Sequence, residues 1–199
     1  MQVYCFMPYK RQVSFFMDNG GHTTKEKSML LAEKTGFSHW GIFPASGIRI
    51  IKEVRHMCAS DKCHMYGRNW SCPPACITLD EAEKKISGFV WGILMQTTGY
   101  LEDVFDYETM QETESRHKKM LRTYAESLDR TEDHLILGSG ACSLCEECTC
   151  PVNPCRMPDK MTSSMEAYGI MVADVCSLAG MAYHYGDCTV TYSGCVLFR

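Results

Sequence analysis

Five cysteines fall within fourteen residues of the stretch GACSLCEECTCPVNPCRMPDK, at Cys142, Cys145, Cys148, Cys150 and Cys155. Cys142, Cys145 and Cys148 are spaced two residues apart, which lets one tight loop turn three thiolates toward a single inorganic core. Runs of this kind hold [4Fe–4S] clusters and take the fourth ligand from a more distant cysteine. Cys155 can be that ligand. Cys150 competes for the role, but it stands only two positions beyond Cys148, and side chains two apart share a face only in extended backbone; the spacing favours Cys155. Pro151, Pro154 and Pro158 keep the segment from closing into a helix. Gly138 and Gly140 are expected to let the backbone approach the core and donate N–H groups to its sulfurs. Glu146 and Glu147, if close to it, would disfavour added negative charge. Zinc is the competing ion, although its sites more often show two separated Cys-x2-Cys pairs.

A second group lies upstream, in CASDKCHMYGRNWSCPPAC. Cys58, Cys63, Cys72 and Cys76 are separated by four, eight and three residues. Four thiols can hold either a [4Fe–4S] cluster or one tetrahedral zinc. The irregular spacing, with Gly67, Pro73 and Pro74, suits a cluster wrapped by a long loop. If only three of the four are ligands, an unfilled metal position could bind substrate. His56 and His64 flank the loop and read as hydrogen-bonding residues rather than ligands. Arg68, Trp70 and Tyr66 are candidates to shield this first site or to pack beside it.

The bulk properties frame both groups. The chain has 199 residues, 45% hydrophobic and 22% charged, enough for a buried core without metals or disulfides to force folding. The net charge of −4 argues against a nucleic-acid backbone as partner. The basic group Arg116, Lys118, Lys119 and Arg122 alternates with acids and reads as a solvated helix face. No secretory signal is visible, since Lys10 and Arg11 interrupt the amino-terminal apolar residues. No run reaches the ~18 apolar residues of a membrane span. The expectation is a cytoplasmic protein without membrane attachment. Thiols stay reduced there, and thirteen cysteines, an odd number, suit a disulfide framework poorly. Metal ligation is then the better reading of the crowding. Cys5, Cys176, Cys188 and Cys195 are scattered and read as core packing, as do most methionines.

The remaining residues must build a scaffold for two loops. Thr23 with Glu26, Thr78 with Glu81, and Ser163 with Glu166 have capping-box spacing. They predict helices from Thr23 to Gly36, from Thr78 to about Gly88, and over 164–180. A short helix is expected over 49–56 and a long one from Asp106 to Leu128, with Met110, His117, Leu121, Tyr124 and Leu128 on one face. Asp103 and Asp106 suit its positive end. HWGIFPAS, FVWGILMQT and HLILGSG read as strands, followed by two more near 181–185 and 188–198. The class is α/β or α+β: a single domain over 23–199, after an extension over 1–22, with a mixed central sheet, flanking helices and two cysteine-rich loops. Whether the loops meet is not legible at this level. No phosphate loop, nucleotide fingerprint or Ser–His–Asp motif is present.

With both motifs in view, the chain resembles an uncharacterised prokaryotic family of predicted metal-binding proteins. The residues that carry the likeness are C-x4-C-x2-YG-x-NW-x-CPPAC at 58–76, G-x-C-x2-C-x2-C-x6-CR-x-P at 140–158, and SMEAYGIMV at 164–172. The resemblance spans about residues 25–199. It implies a cytosolic protein, frequent in anaerobes, with cysteine-bound iron–sulfur clusters, and it implies no settled reaction. Cys150 is a thiol beyond the family pattern. Three functions follow as expectations. The first is low-potential electron transfer to a redox partner protein through one or two [4Fe–4S] clusters. The second is catalysis on a small thiol, sulfide or hydroxyl substrate at an open metal position. The third is a zinc-stabilised interaction module.

Overall fold

The structure is a computed structural model that describes residues 23–128 and 133–199. The expected extension over 1–22, Cys5 included, lies outside the described residues. The first helix, α1 (Thr24–Thr35), starts as its sequence dictates: the Thr23 hydroxyl accepts from the Glu26 N–H while the Glu26 carboxylate takes the Thr23 N–H. Two donors that the helix would otherwise leave unpaired are satisfied by two residues three positions apart. Gly36 closes the helix in the left-handed conformation. Thr78 and Glu81 form the same box at the start of α3 (Leu79–Ile86). Between them come β1 (His39–Pro44) and α2 (Lys52–Met57). After α3 follow β2 (Trp91–Tyr100), α4 (Tyr107–Glu126), β3 (His134–Gly138), β4 (Ser163–Ser164), α5 (Val172–Leu178) and β5 (Thr189–Phe198). Asp106 caps α4, its carboxylate accepting the Thr109 N–H at 3.1 Å.

The strands form one sheet in the order β1-β2-β5-β3-β4. Pairing is antiparallel except between β3 and β4, so the sheet is mixed, as anticipated. Side chains alternate across a strand, and the sheet therefore splits the core in two. Leu94, Leu137, Cys195 and Leu197 face Ala82 and Ile86 of α3, Val175 and Cys176 of α5, and Met165. Trp91, Ile93, Met95, Val196 and Phe198 face Ala32 of α1 and Leu121 and Tyr124 of α4. Among the described residues no helix is long and apolar enough to cross a membrane.

Two expectations fail in the last third of the chain. The helix predicted over 164–180 is broken. Ser163 and Ser164 pair with Leu137 and Gly138 as β4, and a 3-10 turn at Glu166–Tyr168 ends at Gly169, with φ of 75°. It is Ser164, not Ser163, that takes a turn N–H, from Ala167 at 3.1 Å. A Cβ at Gly169 would stand 2.9 Å from Leu79 and 3.1 Å from the Ile51 carbonyl oxygen. Tertiary packing fixes the break there, against a local sequence that favours helix. Residues 181–185, expected as a strand, are held by side chains instead of a ladder. Gln96, fully buried on β2, donates to the Ala182 carbonyl at 3.0 Å and accepts the Tyr185 hydroxyl at 2.7 Å. Tyr185 also stacks on His39 at 3.8 Å between ring centroids.

Candidate metal centre

The first cysteine loop joins α2 to α3. The helix ends by placing Cys58 at its C-cap. The chain then turns through left-handed backbone at Asp61, His64 and Gly67. Asp61 organises the turn: one carboxylate oxygen accepts the Tyr66 N–H at 2.9 Å and the other pairs with Arg68 at 3.1 Å. The Gly67 N–H donates to the Pro73 carbonyl at 2.8 Å, and the Cys76 N–H to that of Cys72 at 3.0 Å. Cys58, Cys72 and Cys76 are half-buried, whereas Cys63 is exposed.

These four thiols share one electrostatic neighbourhood. Burial pushes Cys72 up to about 11; the Ser71 hydroxyl offsets part of this, and Cys63, Cys76 and Cys58 push in the same direction as burial. Burial also raises Cys58, joined by Glu166 and Cys63 and opposed by Arg55. Cys76 is raised by burial, with Arg55 opposing. Arg55 is thus the cation of the site, and it is anchored. Its Nη1 donates to the carbonyls of Ile77 and, at 3.0 Å, Ala167. The Cys76 thiol reaches that same Ala167 oxygen at 3.9 Å. The turn at 166–168 that replaced the expected helix is therefore a wall of the first site.

The second loop leaves β3. Gly138 serves the sheet rather than the loop, its carbonyl accepting the Met165 N–H at 3.3 Å. Gly140 opens the loop with φ of 63°, and a Cβ there would stand 2.9 Å from Glu114 Oε1. That carboxylate is paired with Lys118 at 2.7 Å. Beyond it, Cys142, Cys145, Cys148 and Cys155 line one pocket together with Asn69, Trp70, Arg156 and Met161. Cys150 is buried and directs its thiol to the Gly67 carbonyl at 3.7 Å. The Thr149 hydroxyl holds the Pro154 carbonyl at 2.8 Å, closing the limb between Cys148 and Cys155. Glu146 and Glu147 are exposed.

The two loops touch. Asn69 Nδ2 donates to the Cys142 carbonyl at 3.0 Å, and the Cys142 N–H donates to Ser71 Oγ at 2.9 Å. The Trp70 indole N–H donates to the Asn153 carbonyl at 3.0 Å. Trp70, assigned by its sequence position to the first site, is a wall of the second. Asn69 and Ser71 were missed because neither has a chemistry of its own to flag it. The available signal was their place between Gly67 and Cys72, inside the densest part of the first motif. Arg68 is exposed in its pair with Asp61, and His56 and His64 are exposed. Of the scattered cysteines, Cys176 and Cys195 are buried as expected, but Cys188 is exposed and packs no core.

Each described cysteine is a free thiol. Among the described residues, no group of three or more His, Cys, Asp or Glu side chains is placed to hold a single metal ion as the side chains stand. The donor set still fits a thiolate-bound group: four cysteines line one pocket in the second loop, and in the first an anchored guanidinium lies beside Cys58 and Cys76.

No curated protein and no solved structure matches the chain. The model of one family, that of predicted metal-binding proteins designated DUF2284, matches residues 41–198, a span containing both loops. The chain belongs to this family of predicted metal-binding proteins.

Proposed function

We propose that this is an iron–sulfur protein that carries low-potential electrons to a redox partner protein in the cytoplasm. Cys142, Cys145, Cys148 and Cys155 would hold one [4Fe–4S] cluster, and Cys58, Cys63, Cys72 and Cys76 a second. The observation that carries this reading is the sorting of the five thiols in the second loop. The evenly spaced three and Cys155 line one pocket, while Cys150 is turned away to the Gly67 carbonyl. A bound cluster supplies reversible one-electron chemistry. The chain's own part is to hold the sulfurs, wall off solvent with Trp70 and Met161, and set the local charge with Arg55. Direct contact between the loops suits passage of an electron from one centre to the other. Purification without oxygen, followed by iron and sulfide quantification and electron paramagnetic resonance of the reduced protein, tests the reading. Matched iron and sulfide with a reversible signal support it. Zinc without iron would replace it with a structural metal site.

One observation favours a second reading of the first loop. Cys63 is exposed while its three companions are half-buried. Three anchored thiols and one loose one suit an open metal position for a small thiol or hydroxyl substrate. Full iron retention in Cys63→Ser would favour that reading; loss of the first-loop iron would favour a closed electron carrier.

A further inference from the structure

We propose that Asn69 and Ser71, which belong to the first loop, are positioning residues for the second metal site, and that the first loop thereby sets how tightly the second holds its metal. The inference rests on the metal-binding reading of Cys142 above.

Cys142 is gripped on both sides of its Cα. Its N–H donates to Ser71 Oγ at 2.9 Å, and its C=O accepts from Asn69 Nδ2 at 3.0 Å. These two groups report the φ and ψ of one residue, so the pair fixes the direction in which the Cα–Cβ bond carrying the Cys142 thiol leaves the backbone. The grip is itself rigid. Asn69 Oδ1 accepts from both the Ser71 N–H at 3.0 Å and the Ser71 hydroxyl at 2.9 Å. Asn69 is 4% exposed and Ser71 fully buried, so water offers no replacement partner and a lost bond leaves a buried group unpaired.

The same segment contacts the second loop at two further points. The Trp70 indole holds Asn153, and Gly67 receives the Cys150 thiol. Asn69 and Trp70 line the pocket on which the four second-loop thiols open. The chain reaches the first thiol set one residue later, at Cys72, whose Sγ lies 3.7 Å from Ser71 Oγ. One short segment therefore touches a candidate ligand of each site. At Cys142 the dependence runs from the first loop to the second, because there the gripping side chains come from the first and the gripped backbone from the second.

The test compares the full chain with Ser71→Ala, Asn69→Asp and Ser71→Thr. Asn69→Asp keeps the acceptor for Ser71 but removes the donor to Cys142; Ser71→Thr keeps the hydroxyl. Iron release to a chelator is followed for each centre by its resonance signal. Ser71→Ala and Asn69→Asp are expected to speed release from the second centre about tenfold, the equivalent of one buried hydrogen bond. In Asn69→Asp, which leaves the Ser71 hydroxyl beside Cys72, release from the first centre stays within about twofold on the same scale, and Ser71→Thr restores the second centre. Equal loss from both centres in Asn69→Asp, or no change at the second in either variant, overturns the proposal. A second readout needs no metal: alkylation of metal-free protein, with Cys142 followed by peptide mass against Cys155. Ser71→Ala is expected to speed Cys142 about tenfold over Cys155; an unchanged ratio overturns the positioning role. If the wild-type chain takes up no iron, the proposed function fails while the alkylation ratio still decides the grip on Cys142.

Discussion

The two cysteine loops solve the same problem by different means. The first is built into the core. Arg55 reaches from α2 to the carbonyls of Ile77 and Ala167, Val54 beside it is buried, and the turn at 166–168 packs behind Cys76. Its thiols feel one another, and Cys58 and Cys76 feel one fixed cation. The second is hung from the end of β3, and its pocket is completed by residues lent from the first. The contrast teaches that eight cysteines in two motifs need not mean two equal modules: one loop is anchored by the fold, the other partly by its neighbour.

The largest effect that can break this comparison is loss of a ligand. Cys145→Ser should empty the second centre while the first keeps its metal, and Cys150→Ser should leave both filled, as read by iron and sulfide per chain. Loss of the second centre in Cys150→Ser would show that the pocket lining does not identify the ligands. The next effect concerns the anchor. Arg55→Ala removes two hydrogen bonds from a charged donor and the cation beside Cys58 and Cys76. A loss of about 3 kcal/mol in urea unfolding is expected, with the first centre released faster than the second.

A third effect separates the cysteine side of the sheet from the other face. His117 on α4 is fully buried, with Nδ1 2.9 Å from the Thr97 hydroxyl and Nε2 without a partner among the described residues. Burial, with Lys118 beside it, lowers its pKa from 6.5 to about 4. The unfolded chain therefore takes up the proton first as pH falls. The stability contributed by the neutral ring is complete above pH 6.5 and is lost as pH drops toward 4. Between pH 7.5 and pH 5 the wild type should lose about 2 kcal/mol through this group, and His117→Gln should lose far less. The metal content of the folded protein should not follow this change. The smallest effect is expected at Arg68, whose pair with Asp61 is exposed. Arg68→Ala should cost about 0.5 kcal/mol or less; a cost equal to that of Arg55 would erase the distinction between an anchored and a solvated cation.

What the sequence disclosed was local. Capping boxes at Thr23 and Thr78 and the strands β1, β2, β3 and β5 are decided within a few residues, and they appear where the pattern puts them. The thiol spacings are equally local, so both candidate sites could be named without a fold. What stayed hidden depends on partners distant in sequence. Ser163 and Glu166 have the right spacing for a helix start, yet Ser163 is taken by β3, and Gly169 turns where Leu79 and Ile51 leave no room. Residues 181–185 read as a strand but find Gln96 and His39 instead of a ladder. Asn69 and Ser71 lie about seventy residues from the cysteine they hold, and no periodicity encodes that contact.

The central claim is that the sulfurs of Cys142, Cys145, Cys148 and Cys155 close on one iron–sulfur core. Crystals of protein prepared without oxygen, measured on either side of the iron absorption edge, test it most directly. The account predicts anomalous density for a four-iron cubane bounded by those four sulfurs, with Cys150 left free against Gly67. A cystine, a lone tetrahedral atom or a core held through Cys150 would contradict it.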